Sequence, residues 1–166
     1  MSTERTTQAR TLRFQGLANR IVRAVLRTPL LCRLAGRRLI TLYVVGRKSG
    51  RRYTVPVAYT RHEGALLIGT PFGWGRNLRT GEPVALRLHG RHRIADVEVI
   101  TDESGVVAAY GVMAADNHNF GSFNGIGLDS EGRPDHNDLH RAWAAGARAV
   151  RLVPRDRSPH VGPADR

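Results

Sequence analysis

The sequence predicts an α+β fold, mainly β, in which antiparallel strands are joined by short turns and flanked by a few helices. Two observations carry that reading. Short runs rich in β-branched and aromatic residues recur between glycine-bearing turns, at 39–45, 53–59, 65–68, 83–89, 94–100 and 147–154. In the fourth and fifth of these the apolar residues alternate with polar ones, the period of a strand with one buried face. Helical spacing is confined to 14–26, 104–115 and 137–146. About six antiparallel strands follow, with flanking helices and an amphipathic helix ahead of them.

A chain of 166 residues, 41% hydrophobic, fits one domain that buries most of its apolar surface without staples. The expected limits are a disordered tail at 1–11, a single domain at 12–155 and a second disordered tail at 156–166. Cys32, the single cysteine, excludes an intramolecular disulfide and a cysteine-built zinc site; with Leu30, Leu31 and Leu34 around it, it reads as a small core residue. No run of eighteen apolar residues and no apolar leader core is present, so the expected location is the cytoplasm. A formal charge of +12 makes an anionic partner plausible without choosing its kind.

In chain order, the helical segment 12–38 comes first. Residues 1–38 hold nine arginines against one glutamate, and Leu17, Ile21, Val25 and Leu26 recur at helical spacing. Residues 14–26 read as a basic amphipathic helix that ends before Pro29. Packing of its apolar face on the domain is the default reading; contact with an anionic membrane is the second, and nucleic acid the last.

The strands at 39–45 and 53–59 enclose a turn, Gly46-Arg47-Lys48-Ser49-Gly50-Arg51-Arg52, that holds four cations, a hydroxyl and two glycines. A charged hairpin tip serves solubility; it also suits a phosphate, if Gly46 and Gly50 turn their amides outward while Lys48 and the arginines supply charge. After the strand at 65–68 comes a second unusual turn, Gly69-Thr70-Pro71-Phe72-Gly73-Trp74-Gly75-Arg76-Asn77-Leu78, leading into a short turn or helix at 76–82. Two aromatics set among glycines suit a flat ring better than they suit a core.

The order G-R-K-S-G-x-x-x-x-x-P from Gly46 to Pro56, followed by W-x-x-N-L from Trp74 to Leu78, resembles the deazaflavin-dependent nitroreductase and quinone-reductase family of actinobacteria, a branch of the split β-barrel, FMN-binding-like fold. The likeness covers roughly 39–100. It implies coenzyme F420 as cofactor, with Arg47, Lys48 and Ser49 on its phosphate. Tyr53, Thr54, Val55, Pro56, Val57 and Ala58 would lie along the deazaflavin, and Thr70, Pro71, Phe72, Gly73, Trp74, Gly75, Arg76 and Asn77 across it. The sequence departs from the family at Tyr53, where many relatives carry an arginine, so a second phosphate contact is either missing or supplied by Arg51, Arg52 or Arg76. FMN is the alternative cofactor, a haem-derived tetrapyrrole a further one.

Farther on, the strands at 83–89 and 94–100 enclose Gly90-Arg91-His92-Arg93, read as a solvated basic tip because no aromatic or hydroxyl accompanies it. The helix at 104–115 has Asp102 or Ser104 available as cap. Residues 116–127, polar, glycine-rich and aromatic, read as a long loop of functional character. The helix at 137–146 and a closing strand at 147–154 complete the domain.

His136 and His140, four apart with Asp135 and Asp138 close by, lack a third convergent ligand, so no metal is expected. Neither a serine elbow nor a motif cysteine points to hydrolysis, and the glycine spacing at Gly46 matches neither a Rossmann fingerprint nor a P-loop. The function implied by the resemblance is a reductase that passes a hydride from reduced F420 to a small electron-poor acceptor: a quinone, lipid-soluble or not, an enone or a nitroaromatic. Tyr110 is the candidate proton donor, ahead of Ser122 and His118. Partners would include a second copy of the chain and a membrane touched through the first helix, but no nucleic acid. The competing reading is a non-catalytic basic module that holds a polyanion.

Overall fold

Seven strands make one sheet in the order β2-β1-β5-β6-β7-β4-β3, every neighbouring pair antiparallel. The computed structural model describes residues 38–70 and 73–155. The strands are β1 (Leu39–Val45), β2 (Arg52–Ala58), β3 (Thr60–His62), β4 (Ala65–Thr70), β5 (Val84–Leu88), β6 (Arg91–Ile100) and β7 (Arg148–Pro154). Three helices join them, α1 (Glu103–Asp116), α2 (His118–Phe123) and α3 (His136–Ala144), with a 3-10 turn at Gly73–Asn77. The expected helix at 14–26, the tails at 1–11 and 156–166, and Pro71 and Phe72 lie outside the described residues.

The sheet has to curl. Ala58 pairs with Leu39 at one edge and Thr60 pairs with Leu67 at the other, so a single residue, Tyr59, joins the two edges. Cα atoms two residues apart are separated by at most about 7.6 Å, whereas the edges of a flat seven-stranded sheet lie about 29 Å apart. The result is a half-barrel. Seven strands are present where about six were expected because residues 52–62 change partner at Tyr59, which is buried and donates its amide to the Arg38 carbonyl.

Alternation decides what fills the inside. Ile40, Leu42 and Val44 of β1 face inward with Val84, Leu86 and Leu88 of β5, Ala95 and Val97 of β6, Val150 and Leu152 of β7, and Leu66 and Ile68 of β4, forming the inner core. A second core lies on the other face of β4 and β7. There α1 packs Val106, Tyr110 and Met113 against Leu67 and Ala149, with Leu139 of α3 closing the cluster. Of the two expected caps for α1, Asp102 is the one used, accepting from the Gly105 amide, and Asp135 caps α3 by accepting from the Asp138 amide.

Two expectations are corrected. Arg91, His92 and Arg93 belong to the ladder of β6, because the tip is the two-residue turn His89-Gly90, both at positive φ (48° and 78°), the geometry that matches strand twist in a tight hairpin. Within 116–127, α2 replaces part of the expected loop; the Asn117 side chain caps it by accepting from the amides of Asn119 and Phe120.

Candidate functional site

The two unusual turns meet. The Arg47 amide donates to the Asn77 side-chain oxygen at 3.1 Å, and the Arg47 guanidinium donates to the Arg76 carbonyl at 3.3 Å. Asn77 in turn donates its side-chain amide to the Trp74 carbonyl at 3.0 Å, fixing the 3-10 turn from inside. That turn spans Gly73–Asn77 and so begins three residues before the short turn or helix expected at 76–82.

The basic turn holds its shape through its own backbone. The Gly46 amide donates to the Arg51 carbonyl and the Gly50 amide to the Gly46 carbonyl, both at 2.8 Å. The expectation that these two amides face an anion is therefore corrected: both are spent inside the turn, and so is that of Arg51, which donates to Ser49 Oγ at 3.3 Å. Glycine at 46 lets the turn close tightly, since a Cβ there would stand 2.7 Å from Ser49 Oγ and 2.8 Å from Tyr53 Cε2 and both side chains would have to shift. At Gly50 the requirement is conformational, φ being +64°. Recognition of an anion falls to side chains. Arg47, Lys48, Arg51 and Arg52 are exposed, and among the described residues none has a carboxylate within ion-pair reach.

The register of β2 against β1 sets Tyr53 opposite Val44, Val55 opposite Leu42 and Val57 opposite Ile40, so these three share the inner face, while Thr54, Pro56 and Ala58 share the outer one. Trp74 is half-buried and packs with Val55 and Val57 against the inner core, so it is less exposed than its glycine neighbours suggested. Gly75 lets this turn press on Thr70, whose Cγ2 would lie 2.5 Å from an added Cβ. Ser49 Oγ and the Tyr53 hydroxyl are 3.3 Å apart. Val45 and Tyr53 stay 53% and 40% exposed beside the cationic turn, Val45 on the outer face of the sheet and Tyr53 on the inner one. Val45 was not singled out in the sequence; its place at the end of a strand beside four cations was the available signal.

Tyr110 is not brought to this place. It lies in the second core, on the far side of β4, fully buried, with its hydroxyl donating to the Arg148 carbonyl at 3.2 Å and its ring edge-on to Phe120 at 5.1 Å. Burial raises its pKa far above the ordinary tyrosine value. These are the surroundings of a core tyrosine, and they do not support a proton-donor role. Ser122 and His118 are exposed on α2. Of the two histidines, His140 meets Glu103 at 2.7 Å, and among the described residues no group of three or more metal-ligating side chains converges. No described helix is long and apolar enough to cross a membrane.

No protein-family model matches the chain, and no curated protein sequence matches it. Among solved structures, the crystal structure of the conserved hypothetical protein Rv2991 from Mycobacterium tuberculosis is similar over 74% of this chain and 76% of its own, with a TM-score of 0.47 and 15% sequence identity. A likeness this distant carries no argument about chemistry.

Proposed function

We propose that the chain is an F420H2-dependent reductase of the split β-barrel, flavin-binding type, which passes a hydride to an electron-poor acceptor such as a quinone, an enone or a nitroaromatic. The observation that carries this reading is the union of the basic turn with the Trp74 turn through Arg47, Arg76 and Asn77, segments thirty residues apart whose sequences together resemble the deazaflavin family. The residues fit an anionic, flat-ringed group: four exposed cations without carboxylate partners among the described residues stand beside Tyr53 and the inner face of β2.

In this reading Arg47, Lys48 and Ser49 hold the phosphate; Tyr53 to Ala58 and the segment from Thr70 to Asn77 flank the ring. When bound, the reduced cofactor supplies a hydride, and the chain supplies position and exclusion of water. Charge-assisted bonds from the turn anchor the anionic end, and the half-buried Trp74 borders the ring on its apolar side. Tyr110, buried in the second core, is not assigned the proton that completes the product.

The test is a titration of the full-length protein with F420, FMN and short DNA, followed by quenching of tryptophan fluorescence and by absorbance. Saturable quenching by F420 that is lost in Trp74→Phe, with Trp143 still present, is the expected result. Tighter binding of FMN would move the reading to a flavoprotein of the same type, and tighter binding of DNA would replace it with a polyanion-binding module.

A further inference from the structure

The end of the half-barrel remote from the basic turn carries a second set of cations. Because β5 runs antiparallel to β1, with Ile40 opposite Leu88, the His89-Gly90 hairpin lies where β1 begins and β2 finishes. His89 Nε2 lies 3.4 Å from the Tyr59 hydroxyl and 3.2 Å from the Arg61 guanidinium, which itself stands 5.9 Å from the centre of the Tyr59 ring. Arg87 donates to the Gly90 carbonyl at 3.2 Å, and Arg91 sits opposite Leu88 across the hairpin. Arg61, Arg87 and Arg91 are exposed, and among the described residues none has a carboxylate within ion-pair reach. Arg38 enters the fold at this same end, its carbonyl accepting from the Tyr59 amide, and its own charge is met by Asp116.

We propose that this end of the molecule docks onto an anionic phospholipid surface. Gathered like charges raise the local potential and favour an external polyanion. One feature selects lipid over nucleic acid. The 38 residues that lead into this end combine nine arginines with apolar residues at helical spacing, and the apolar residues have a use at the boundary of headgroups and acyl chains that a phosphate backbone does not offer them. The inference is independent of the cofactor.

The experiment is co-sedimentation of the full-length protein with vesicles of phosphatidylcholine containing phosphatidylglycerol, against vesicles of phosphatidylcholine alone. Removing three charges in Arg61→Gln, Arg87→Gln and Arg91→Gln together should lower the partition coefficient about 100-fold. The corresponding Lys triple should keep most of it, because lipid attraction needs charge rather than fork geometry. Arg47→Gln, Lys48→Gln and Arg52→Gln together, at the other end, should leave it nearly unchanged, and thermal melts identify any variant that has unfolded. The Lys triple keeps the argument open if the Gln triple does not fold. Unchanged partition in the Gln triple, equal loss in the remote triple, loss in a folded Lys triple, or preference for short duplex DNA over anionic vesicles would each overturn the proposal.

Discussion

The amide of Arg47 and the side-chain oxygen of Asn77, thirty residues apart, are joined at 3.1 Å, and this bond ties a charged hairpin tip to an aromatic turn. Because Asn77 also donates to the Trp74 carbonyl, one side chain sets both partners. Asn77→Ala should loosen the basic turn and weaken F420 binding about tenfold, with little loss of stability, since the bonds removed are exposed or half-buried. Titrations and melts of the same sample check this; unchanged affinity would separate the two turns functionally.

Lys48→Ala should weaken F420 binding by about 1.5–3 kcal/mol, the value of a hydrogen bond to a charged group, while leaving the melting temperature alone. Lys48 is exposed and makes no ion pair among the described residues, so the fold has little to lose there. Equal affinity in wild type and variant would remove the phosphate assignment.

Tyr110→Phe should behave as a packing variant. Losing the bond to the Arg148 carbonyl costs about 0.5–1.5 kcal/mol in urea unfolding, and turnover with any acceptor should stay within about twofold. A large fall in kcat with stability unchanged would restore the proton-donor role.

Asp116 links acid stability to the first strand. Its bond to Arg38, and secondarily that to Thr60 at 2.9 Å, hold its carboxyl below the ordinary aspartate range. A depressed carboxylate contributes stability that is present above the unfolded-state pKa, about 3.9, and is lost as pH falls through the folded-state value. Asp116→Asn should therefore melt lower than wild type at pH 7, and the difference should shrink below about pH 4. A gap independent of pH would show that shape rather than charge matters at this position.

How much of this the sequence revealed depends on the range of the interaction. Alternation at Val84, Leu86 and Leu88 and at Ala95 and Val97 located β5 and β6 and their inward faces, because one buried face imposes a period of two. The cap Asp102 was legible for the same local reason. Helix α2 was not, since six residues are too few to show a period; the signal was Asn117 ahead of His118. The partner exchange at Tyr59 and the hidden face of Trp74 depend on residues far along the chain, which no local pattern encodes. For the candidate site, the turn at Gly46 was identified by its composition, but the use of its glycine amides was misjudged, because exposure of a residue does not imply exposure of its donors.

The join at Tyr59 also governs the order in which the fold can assemble. The hairpins β1–β2 and β3–β4 are neighbours in sequence and can form early from local contacts, yet β5, β6 and β7 stand between them in the sheet. The pairing of Leu66 with Leu152 and of Ile68 with Val150 closes a loop of more than eighty residues, and only then are both edges of β4 paired. Until β7 has left the ribosome, β4 therefore exposes an unpaired apolar edge, and the newly made chain depends on β7 for protection from association with its neighbours.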